Sequence, residues 1–306
     1  MTPSARHVSI LLCTYNGARF LPELLDSLCA QTYADWSLWI SDDGSTDETR
    51  ALCAAFRDSN PMHTVRLIDG PGRGSAANFL ALLCHPDLRS ETVALSDQDD
   101  IWLPDKLARA LTQLPGDGAA IYSAQSRYID GAGQGVGQSR CPPGQPMFKT
   151  AMLQNVLAGH SMVLNAGAVA LARQAGPVPV PFHDWWLTLL VLAAGGRAVL
   201  DRQALLLYRQ HAGNVLGAPQ GWRAGLLRAR AVLGRDYRTW VTANMQALQG
   251  VAALLTPEAR DVVTRFLAAP VGSGAGRLRL LWRLGLRRQG VGPTALVYLA
   301  ALFGRV

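Results

Sequence analysis

The sequence predicts an α/β fold, with a mostly parallel sheet and flanking helices over residues 1–215 and a helical region after them. Two observations predict the sheet. Short apolar segments of strand length alternate with longer segments in which leucines recur at helical spacing. Three of the apolar segments also end in turns rich in polar residues. Because ligands of a parallel sheet bind at the carboxyl ends of its strands, we expect these turns to converge at one edge.

The elements follow one another in a regular order. A first strand is predicted over Val8–Cys13, and it runs directly into the turn Thr14-Tyr15-Asn16-Gly17. Leucines at helical spacing predict a helix over Phe20–Gln31, and a second strand over Trp36–Ile40 ends in an acidic turn that begins at Ser41. The next predicted elements are helices at Asp47–Phe56 and Ser75–Cys84 and strands at Thr64–Ile68 and Thr92–Ser96.

Three carboxylates follow the last of these strands within four positions, in the segment S-D-Q-D-D-I-W. Side chains alternate in an extended segment, so Asp97 and Asp99 should project to the same side. Two hard oxygen donors held in this way suit Mg²⁺ or Mn²⁺, usually shared with a phosphorylated ligand. Alternatively, Asp99 or Asp100 caps the following helix, although one acid would suffice for that.

Charge is divided unevenly along the chain. Residues 1–200 carry a net charge of −4, whereas residues 201–306 carry +11, which together give the +7 of the whole chain. We therefore expect two regions, the α/β region over 1–215 and a basic, amphipathic helical region over 216–306. Such helices either lie on an anionic membrane surface or pack on the preceding region with their arginines in solvent. Nucleic acid is not an expected partner, because no recognition motif accompanies the charge.

The sequence favours a cytoplasmic location. Its longest apolar stretches fall short of the roughly 20 residues that cross a bilayer, and Val8–Cys13 is too short for a secretory signal. The five cysteines are odd in number and lack a C-x-x-C pair, which favours reduced thiols. If the basic region binds lipid, we expect the protein on the inner face of the plasma membrane.

The order of three motifs resembles a known family. V-S-I-L-L-C-T-Y-N-G, W-I-S-D-D-G-S-T-D-E-T and A-L-S-D-Q-D-D-I-W-L-P-D-K-L are similar to the family 2 inverting glycosyltransferases of GT-A fold, and D-Q-D-D-I-W resembles the bacterial rhamnosyltransferase-like members. The resemblance implies that Asp99, with Asp97, binds the metal of a D-x-D motif. It also implies nucleotide-binding residues, which here are Thr14, Tyr15, Asn16, Asp42 and Asp97.

Elementary chemistry agrees with the nucleotide assignment. The carboxylate of Asp42 can accept a hydrogen bond from the N3–H of uracil or thymine, a donor that cytosine lacks. The same segment also fits a turn with Ser45 or Thr46 as a helix cap. In the glycine-rich segment that follows, Arg73 can bind a diphosphate through its planar guanidinium, or it lies unused in a surface loop.

Inverting transfer needs a general base, because a sugar hydroxyl is a poor nucleophile until its proton is removed. Pro181-Phe182-His183-Asp184-Trp185-Trp186 resembles the segment of the family that supplies this base, which here is Asp184. Trp185 or Trp186 is predicted to form an apolar platform for a sugar ring. The alternative is that Asp184 only caps a helix and that both tryptophans belong to the core.

Two later segments contribute weaker candidates. Residues 130–145 are rich in glycine and proline and predict an irregular flap, and His160 in a Gly-His-Ser turn is predicted to border the acceptor pocket. The segment Leu207–Asn214 resembles the part of the family that folds over the diphosphate. The resemblance assigns His211 as a metal ligand and Arg209 as a phosphate partner.

The predicted function is transfer of a sugar from a dTDP- or UDP-sugar donor, with dTDP-rhamnose as the candidate suggested by the resemblance. The expected acceptor is a glycan or a lipid-linked glycan of a cell-surface polysaccharide. Two alternatives remain open at this point. An apolar strand before Asp97-Gln98-Asp99 also resembles haloacid-dehalogenase-type phosphohydrolases, and a non-catalytic sugar-nucleotide-binding protein could keep the same motifs.

Overall fold

A computed structural model describes residues 6–139, 141, 144–211, 230, 232–269 and 274–306. The described strands are β1 (Val8–Thr14), β2 (Trp36–Asp42), β3 (Val65–Asp69), β4 (Thr92–Ser96), β5 (Ile101–Trp102), β6 (Ala120–Ile129), β7 (Gly135–Gln138), β8 (Val163–Leu164) and β9 (Arg197–Arg209). The described helices of the first 215 residues are α1 (Leu21–Cys29), α2 (Thr49–Ser59), α3 (Ser75–Leu83), α4 (Lys106–Gln113), α5 (Phe148–Ala151), α6 (Ala166–Ala175) and α7 (His183–Ala193). Those after them are α8 (Arg235–Gly250), α9 (Pro257–Ala268), α10 (Gly274–Arg283) and α11 (Val291–Leu302).

All the described strands belong to one sheet, in the order β3-β2-β1-β4-β8-β6-β9-β5, with β7 on the edge of β6. The strands β3, β2, β1 and β4 are parallel, as the alternating pattern predicts. Beyond β4 the sheet is mixed, because β8 pairs antiparallel with both β4 and β6. Thr14 pairs with Asp42, and Leu12 pairs with Ser96. The turns after β1, β2 and β4 therefore lie side by side.

The sheet separates two apolar layers. Alternate residues of β1 belong to different layers, with Ile10 and Leu12 on the face covered by α1 and Leu11 and Cys13 on the face covered by α3 and α7. All seven residues of β1 are buried. Burial on both faces explains why the first strand reads as a continuous apolar run rather than as an alternating one.

The helices after residue 230 extend the second layer. Tyr237, Val241, Met245 and Leu248 recur at helical spacing on α8 and are all buried in the same cluster as α7. The hydroxyl of Tyr237 donates a 2.6 Å hydrogen bond to the main-chain oxygen of Leu153. Of the two alternatives for the basic region, packing on the preceding domain is therefore observed for the inner faces of these helices. The predicted boundary at residue 215 lies outside the described residues.

Two further outcomes concern residues 130–145 and membrane spans. Gly135–Gln138 forms β7, which pairs antiparallel with β6, so the prediction of a wholly irregular flap is wrong for this stretch. Pairing with β6 holds this glycine-rich stretch extended although all four of its residues are exposed. Among the described helices, none has the length and hydrophobicity needed to cross a membrane.

Candidate active site

A cavity of about 1590 Å³ opens at the carboxyl ends of β1, β2 and β4. Part of its lining comes from the strand-end turns, including Tyr15, Asp43, Asp97 and Asp99. Another part comes from the start of α7, where Asp184 lies. The topology therefore brings the acidic turns and the predicted base into one cavity, although 85 or more residues separate them in sequence.

The turns after β1 and β2 are joined by reciprocal hydrogen bonds. Asn16 has a positive φ of 47°, a conformation that asparagine tolerates better than most residues. Its main-chain nitrogen donates to Ser45 Oγ at 2.9 Å, and its Oδ1 accepts from the main-chain nitrogen of Thr46 at 2.8 Å. Asn16 therefore holds the two turns together, in addition to its predicted place near the nucleotide.

Asp42 does not line the cavity, which contradicts its predicted contact with a pyrimidine. Its side chain is buried and accepts from Thr14 Oγ1 at 2.7 Å, from the nitrogen and Oγ of Ser45 at 2.9 and 2.6 Å, and from Arg50 at 3.3 Å. These four bonds use the acceptor positions of a carboxylate. Burial alone would raise the pKa of Asp42, but the hydrogen bonds from Ser45, Thr14 and Arg50 outweigh it and leave the pKa below its usual value.

The neighbouring Asp43 lines the cavity instead. Its two carboxylate oxygens accept from the main-chain nitrogens of Gly72 and Gly74, each at 2.7 Å. Gly74 has a φ of +85°, which a residue with a side chain rarely adopts. The glycine-rich loop is therefore fixed on Asp43, and the exposed Arg73 in this loop lines the cavity. Its contact with a diphosphate stays a prediction.

Gln98 has a role that the sequence pattern did not indicate. Its Oε1 accepts from the main-chain nitrogen of Tyr15 at 2.9 Å, and its Nε2 donates to the main-chain oxygen of the same residue at 2.9 Å. A Cβ atom added to Gly17 would lie 2.2 Å from Gln98 Oε1, so a side chain there would displace the Gln98 amide from Tyr15. The side chain of Tyr15, 58% exposed, lines the cavity from this fixed turn.

The acidic turn after β4 divides into two groups. Asp97, Asp100 and His160 each offer a ligand atom within 4.8 Å of the others. Asp99 Oδ2 instead lies 2.7 Å from His211 Nε2. The predicted proximity of Asp99 and His211 is thus observed, whereas Asp100 and His160 were not predicted to stand beside Asp97.

The electrostatics of this turn fit a divalent cation. Burial raises the pKa of Asp97 to about 7, and the charges of Asp99 and Asp184 add to this effect. Burial, with the charges of Asp99 and Asp97, also raises the pKa of Asp100, whose Oδ2 has no hydrogen-bond partner among the described residues. A cation would offset the repulsion among these carboxylates. Carboxylate oxygen donors suit Mg²⁺ or Mn²⁺.

His160 lines the cavity beside the acidic turn. Its Nε2 lies 2.7 Å from Ser126 Oγ, and its ring stacks on that of Tyr208 with a centroid distance of 4.7 Å. Burial lowers its pKa to about 3, with contributions from Lys106 and His183. The imidazole is therefore neutral, which is the form that can bind a metal.

Asp184 is held in place by main-chain and side-chain donors. Its Oδ2 accepts from Asn155 Nδ2 at 2.8 Å and from the main-chain nitrogen of Gly159 at 3.1 Å. The N-cap of α7 is Phe182, so Asp184 lies inside the first turn and is not the cap. A Cβ atom at Gly159 would lie 2.7 Å from His183 Nε2 and 3.1 Å from Asp184 Cβ. The turn therefore needs glycine at this position.

The predicted sugar platform at Trp185 or Trp186 is wrong. Both indoles are buried in the core on α7, and Trp185 Nε1 donates to the main-chain oxygen of Ala151 at 2.6 Å. Nearly every residue of this apolar helix is buried, so its pattern does not distinguish a cavity-facing side. The aromatic side chains that do line the cavity include Phe182, Tyr208 and Trp240.

Arg209 does not line the cavity either, which contradicts its predicted contact with phosphate. Its guanidinium is buried, pairs with Glu23 at 2.8 Å, and donates to the main-chain oxygen of Asp99 at 3.2 Å. It also lies over the ring of Phe20, 4.6 Å from the centroid. Arg209 therefore stabilises the acidic turn from the side that faces away from the cavity. The rest of the predicted late segment, residues 212–214, lies outside the described residues.

Comparison with known proteins agrees with this geometry. The family model described as glycosyl transferase family 2 matches residues 9–175, more than half of the chain. A dTDP-rhamnosyl transferase, RfbG of Shigella flexneri, is 29% identical over 245 residues, which cover 78% of this chain and 84% of that protein. The glucosyltransferase WfgD of Escherichia coli, named as acting on α-D-GlcNAc-diphosphoundecaprenol, is 32% identical over 108 residues, 35% of this chain and 40% of that protein.

Two solved structures share the fold. S. aureus TarS in complex with UDP-GlcNAc aligns with a TM-score of 0.56 at 14% identity, covering 98% of this chain and 90% of that one. The mannosyltransferase PcManGT of Pyrobaculum calidifontis, in complex with GDP-Man and Mn²⁺, aligns with a TM-score of 0.54 at 18% identity, covering 99% and 86%. The match of the family model over most of the sheet identifies this chain as a member of glycosyl transferase family 2.

Proposed function

We propose that this chain transfers a sugar, with inversion, from a dTDP- or UDP-sugar to a hydroxyl of a glycan or lipid-linked acceptor in the synthesis of a cell-surface polysaccharide. The observation that carries the proposal is the presence of Asp184 in the same cavity as the strand-end acids. The likeness to a dTDP-rhamnosyl transferase over 78% of the chain makes dTDP-rhamnose the first donor to test.

Asp184 is the general base in this proposal. The acceptor oxygen forms a bond to the anomeric carbon, the bond from that carbon to the diphosphate breaks, and the hydroxyl proton passes to an Asp184 oxygen. Hydrogen bonds from Asn155 and Gly159 fix the orientation of the carboxylate. A fixed base avoids the loss of rate that a misplacement of about 1 Å causes. Attack opposite the leaving group gives inversion.

On the donor side, we assign recognition of the nucleobase to Asp43 rather than to Asp42. Each Asp43 oxygen accepts one hydrogen bond from a glycine nitrogen, and a carboxylate oxygen can accept a second. The N3–H of uracil or thymine supplies that donor, which cytosine lacks. Thr14, Asn16 and Asp42 shape the turn, and Arg73 pairs with the diphosphate through its planar fork.

The residues proposed to hold Mg²⁺ or Mn²⁺ are Asp97 and Asp99 with His211. Asp100 and His160 stand next to Asp97, and Asp99 Oδ2 lies 2.7 Å from His211 Nε2. When bound, the cation stabilises the negative charge of the departing diphosphate. Arg209 positions this turn through its bond to the Asp99 main chain.

We also propose that the protein works on the cytoplasmic face of an anionic membrane, where lipid-linked acceptors lie. Exposed side chains of the last two helices and their ends support this. Trp282, Val291 and Phe303 are 71%, 89% and 68% exposed; the exposed Arg283 directly follows Trp282, and the exposed Arg287 lies four residues before Val291. Aromatic and apolar side chains with flanking arginines suit the interface of an anionic bilayer.

A donor screen tests the proposed reaction. The purified chain is incubated with Mn²⁺ or Mg²⁺ and with dTDP-rhamnose, UDP-glucose, UDP-GlcNAc or GDP-mannose, and released nucleoside diphosphate is measured. We expect release from a dTDP- or UDP-sugar, and its loss with EDTA. Preference for GDP-mannose would contradict the donor assignment. Tight nucleotide binding without any release would identify a non-catalytic binding protein.

A further inference from the structure

Part of the cavity lining is apolar and does not belong to the acidic turns. Val178, Val180 and Phe182 come from the proline-rich segment before α7, Val156 comes from the loop after α5, and Trp240 and Ala243 come from α8. We call these six residues the apolar wall. The rings of Phe182 and Trp240 meet edge to face, with centroids 5.1 Å apart and an interplanar angle of 79°. These two rings therefore join α8 to the catalytic domain at the cavity.

The apolar wall lies next to the proposed base. Phe182 precedes Asp184 by two residues, and Val156 directly follows Asn155, which donates to Asp184 Oδ2 at 2.8 Å. A hydroxyl that gives its proton to Asp184 must come within hydrogen-bond distance of the carboxylate, about 3 Å. The ring that carries this hydroxyl is only one sugar unit in size. It must therefore rest against the side chains that border Asp184.

The position of Trp240 is fixed by the packing of its helix. Tyr237 and Val241, one turn apart on α8, are buried, and the hydroxyl of Tyr237 donates to the main-chain oxygen of Leu153, two residues before Asn155. Trp240 itself is partly exposed at the cavity. The loop that holds the base and the helix that presents the indole are thus anchored to each other. An aromatic face held in this way binds a ligand at low entropic cost.

We propose that the apolar wall is the acceptor site and that Trp240 stacks on the pyranose ring that presents the reacting hydroxyl. The C–H groups of one pyranose face form an apolar surface that packs on an indole, and the hydroxyls at the ring edge face Asp184. This inference rests on the proposed function, since it names the acceptor half of the same cavity. The helical region after residue 230 thereby takes part in acceptor recognition.

The test compares Trp240→Ala, Trp240→Phe and the control Met62→Ala, which shortens an exposed apolar side chain outside the cavity. The acceptor probes are octyl glycosides of glucose, GlcNAc and rhamnose, used with the donor that the screen identifies. We expect Trp240→Ala to raise the acceptor KM about tenfold, in line with the loss of one aromatic stacking contact. Trp240→Phe should retain most of the affinity, and Met62→Ala should match the wild type.

Two readouts separate acceptor binding from other roles. Nucleoside diphosphate affinity, measured by calorimetry, and transfer of the sugar to water should stay unchanged in Trp240→Ala. A matching loss of nucleotide affinity would assign the wall to the donor and overturn the proposal. Saturation-transfer NMR of the octyl glycosides, with nucleoside diphosphate present, reports binding without turnover. If the wild type shows no saturation transfer to any glycoside, or Trp240→Ala shows an undiminished signal, the proposal is wrong. Donor turnover by the wild type would still support the proposed function.

Discussion

The two halves of the cavity are built in different ways. On the side proposed to bind the donor, adjacent parallel strands in register deliver Tyr15, Asp43 and Asp97 through short turns. On the side proposed to bind the acceptor, Asp184 comes from a helix start and is held by residues of a distant loop, and Trp240 comes from the C-terminal helical region. The donor half depends on local backbone geometry, whereas the acceptor half depends on long-range packing. Substitutions in the two halves should therefore fail in different ways.

The largest expected effect is at the acceptor side. Asp184→Asn should lower turnover by roughly two to four orders of magnitude, the usual contribution of a general base. Nucleoside diphosphate affinity should stay unchanged, because Asp184 contributes to chemistry and not to donor binding. Steady-state kinetics and calorimetry measure both quantities, with the exposed Asp87→Asn as control. Turnover close to wild type would return Asp184 to a structural role at the start of α7.

On the donor side, Asp99→Asn should weaken Mn²⁺ binding in the presence of nucleoside diphosphate by roughly two orders of magnitude. Turnover should fall with it, because the charge of the leaving diphosphate is then poorly stabilised. Manganese electron paramagnetic resonance titration gives the metal affinity directly, without any assay of activity. Unchanged metal affinity, together with full turnover in EDTA, would disprove the metal site.

Gly159→Ala tests how tightly the acceptor half is packed. The new Cβ would lie 2.7 Å from His183 Nε2 and 3.1 Å from Asp184 Cβ, so the base must shift. A displacement of about 1 Å from the productive geometry lowers turnover roughly a hundredfold. Gly250→Ala is the matched control, since a Cβ atom there meets nothing within 4 Å. Equal kinetics for the two variants would show that the turn accommodates the methyl group without moving Asp184.

Asp42 and Asp43 allow a comparison between two adjacent carboxylates. Asp43→Ala should weaken UDP or dTDP binding about tenfold and remove the preference over CDP, because a hydrogen bond to a charged acceptor contributes about 1.5–3 kcal/mol. Asp42→Ala should instead lower the free energy of unfolding by about 2 kcal/mol, since it leaves buried donors without an acceptor. Calorimetry and urea unfolding distinguish the two losses. The reverse pattern would restore Asp42 as the residue that recognises the nucleobase.

The contribution of Asp42 to stability should depend on pH in a defined direction. Its pKa is lower in the folded than in the unfolded protein, so its stabilising effect is complete above the unfolded pKa, near 4, and is lost as the pH falls through the folded value. The difference in stability between the wild type and Asp42→Ala should therefore shrink in acid. A difference that grows below pH 4 would contradict the hydrogen-bonded carboxylate.

The smallest effect is expected at the membrane face. Each arginine near an anionic surface contributes about 1 kcal/mol, and salt screens this attraction. Replacing Arg279, Arg283 and Arg287 by serine should reduce co-sedimentation with phosphatidylserine vesicles at low salt, and neutral vesicles should recover little protein in either case. If the wild-type chain ignores anionic vesicles at low salt, the exposed face serves another purpose.

The same division explains what the sequence could predict. Thr92–Ser96 is a strand as predicted, and the neighbouring turns meet as expected, because buried parallel strands leave a clear apolar pattern. The prediction of Asp42 failed because β2 extends two residues beyond Ile40. Asp42 is thus the last strand residue, turned towards Thr14, and Asp43 is the first residue free to face the cavity. One position of strand length decides which acid faces the cavity.

The acceptor half was harder to predict for a physical reason. Helix α7 is apolar on nearly all sides, so its sequence could not show that Trp185 and Trp186 are buried. The two-residue strand β8, which makes the sheet mixed, is too short to leave a periodic signal. Trp240 reaches the cavity only through tertiary packing of α8, and no local motif marks it.

The amide of Gln98 has a consequence for engineering. It forms hydrogen bonds to both the main-chain nitrogen and the main-chain oxygen of Tyr15, and so links the turn after β1 to the acidic turn after β4. It also occupies the space that any side chain at Gly17 would need. A shorter side chain at position 98 would lose these two hydrogen bonds, and a larger side chain at position 17 would displace the Gln98 amide. Chimeras that exchange donor specificity with a relative should therefore transplant both turns together, because the conformation of each turn depends on the other.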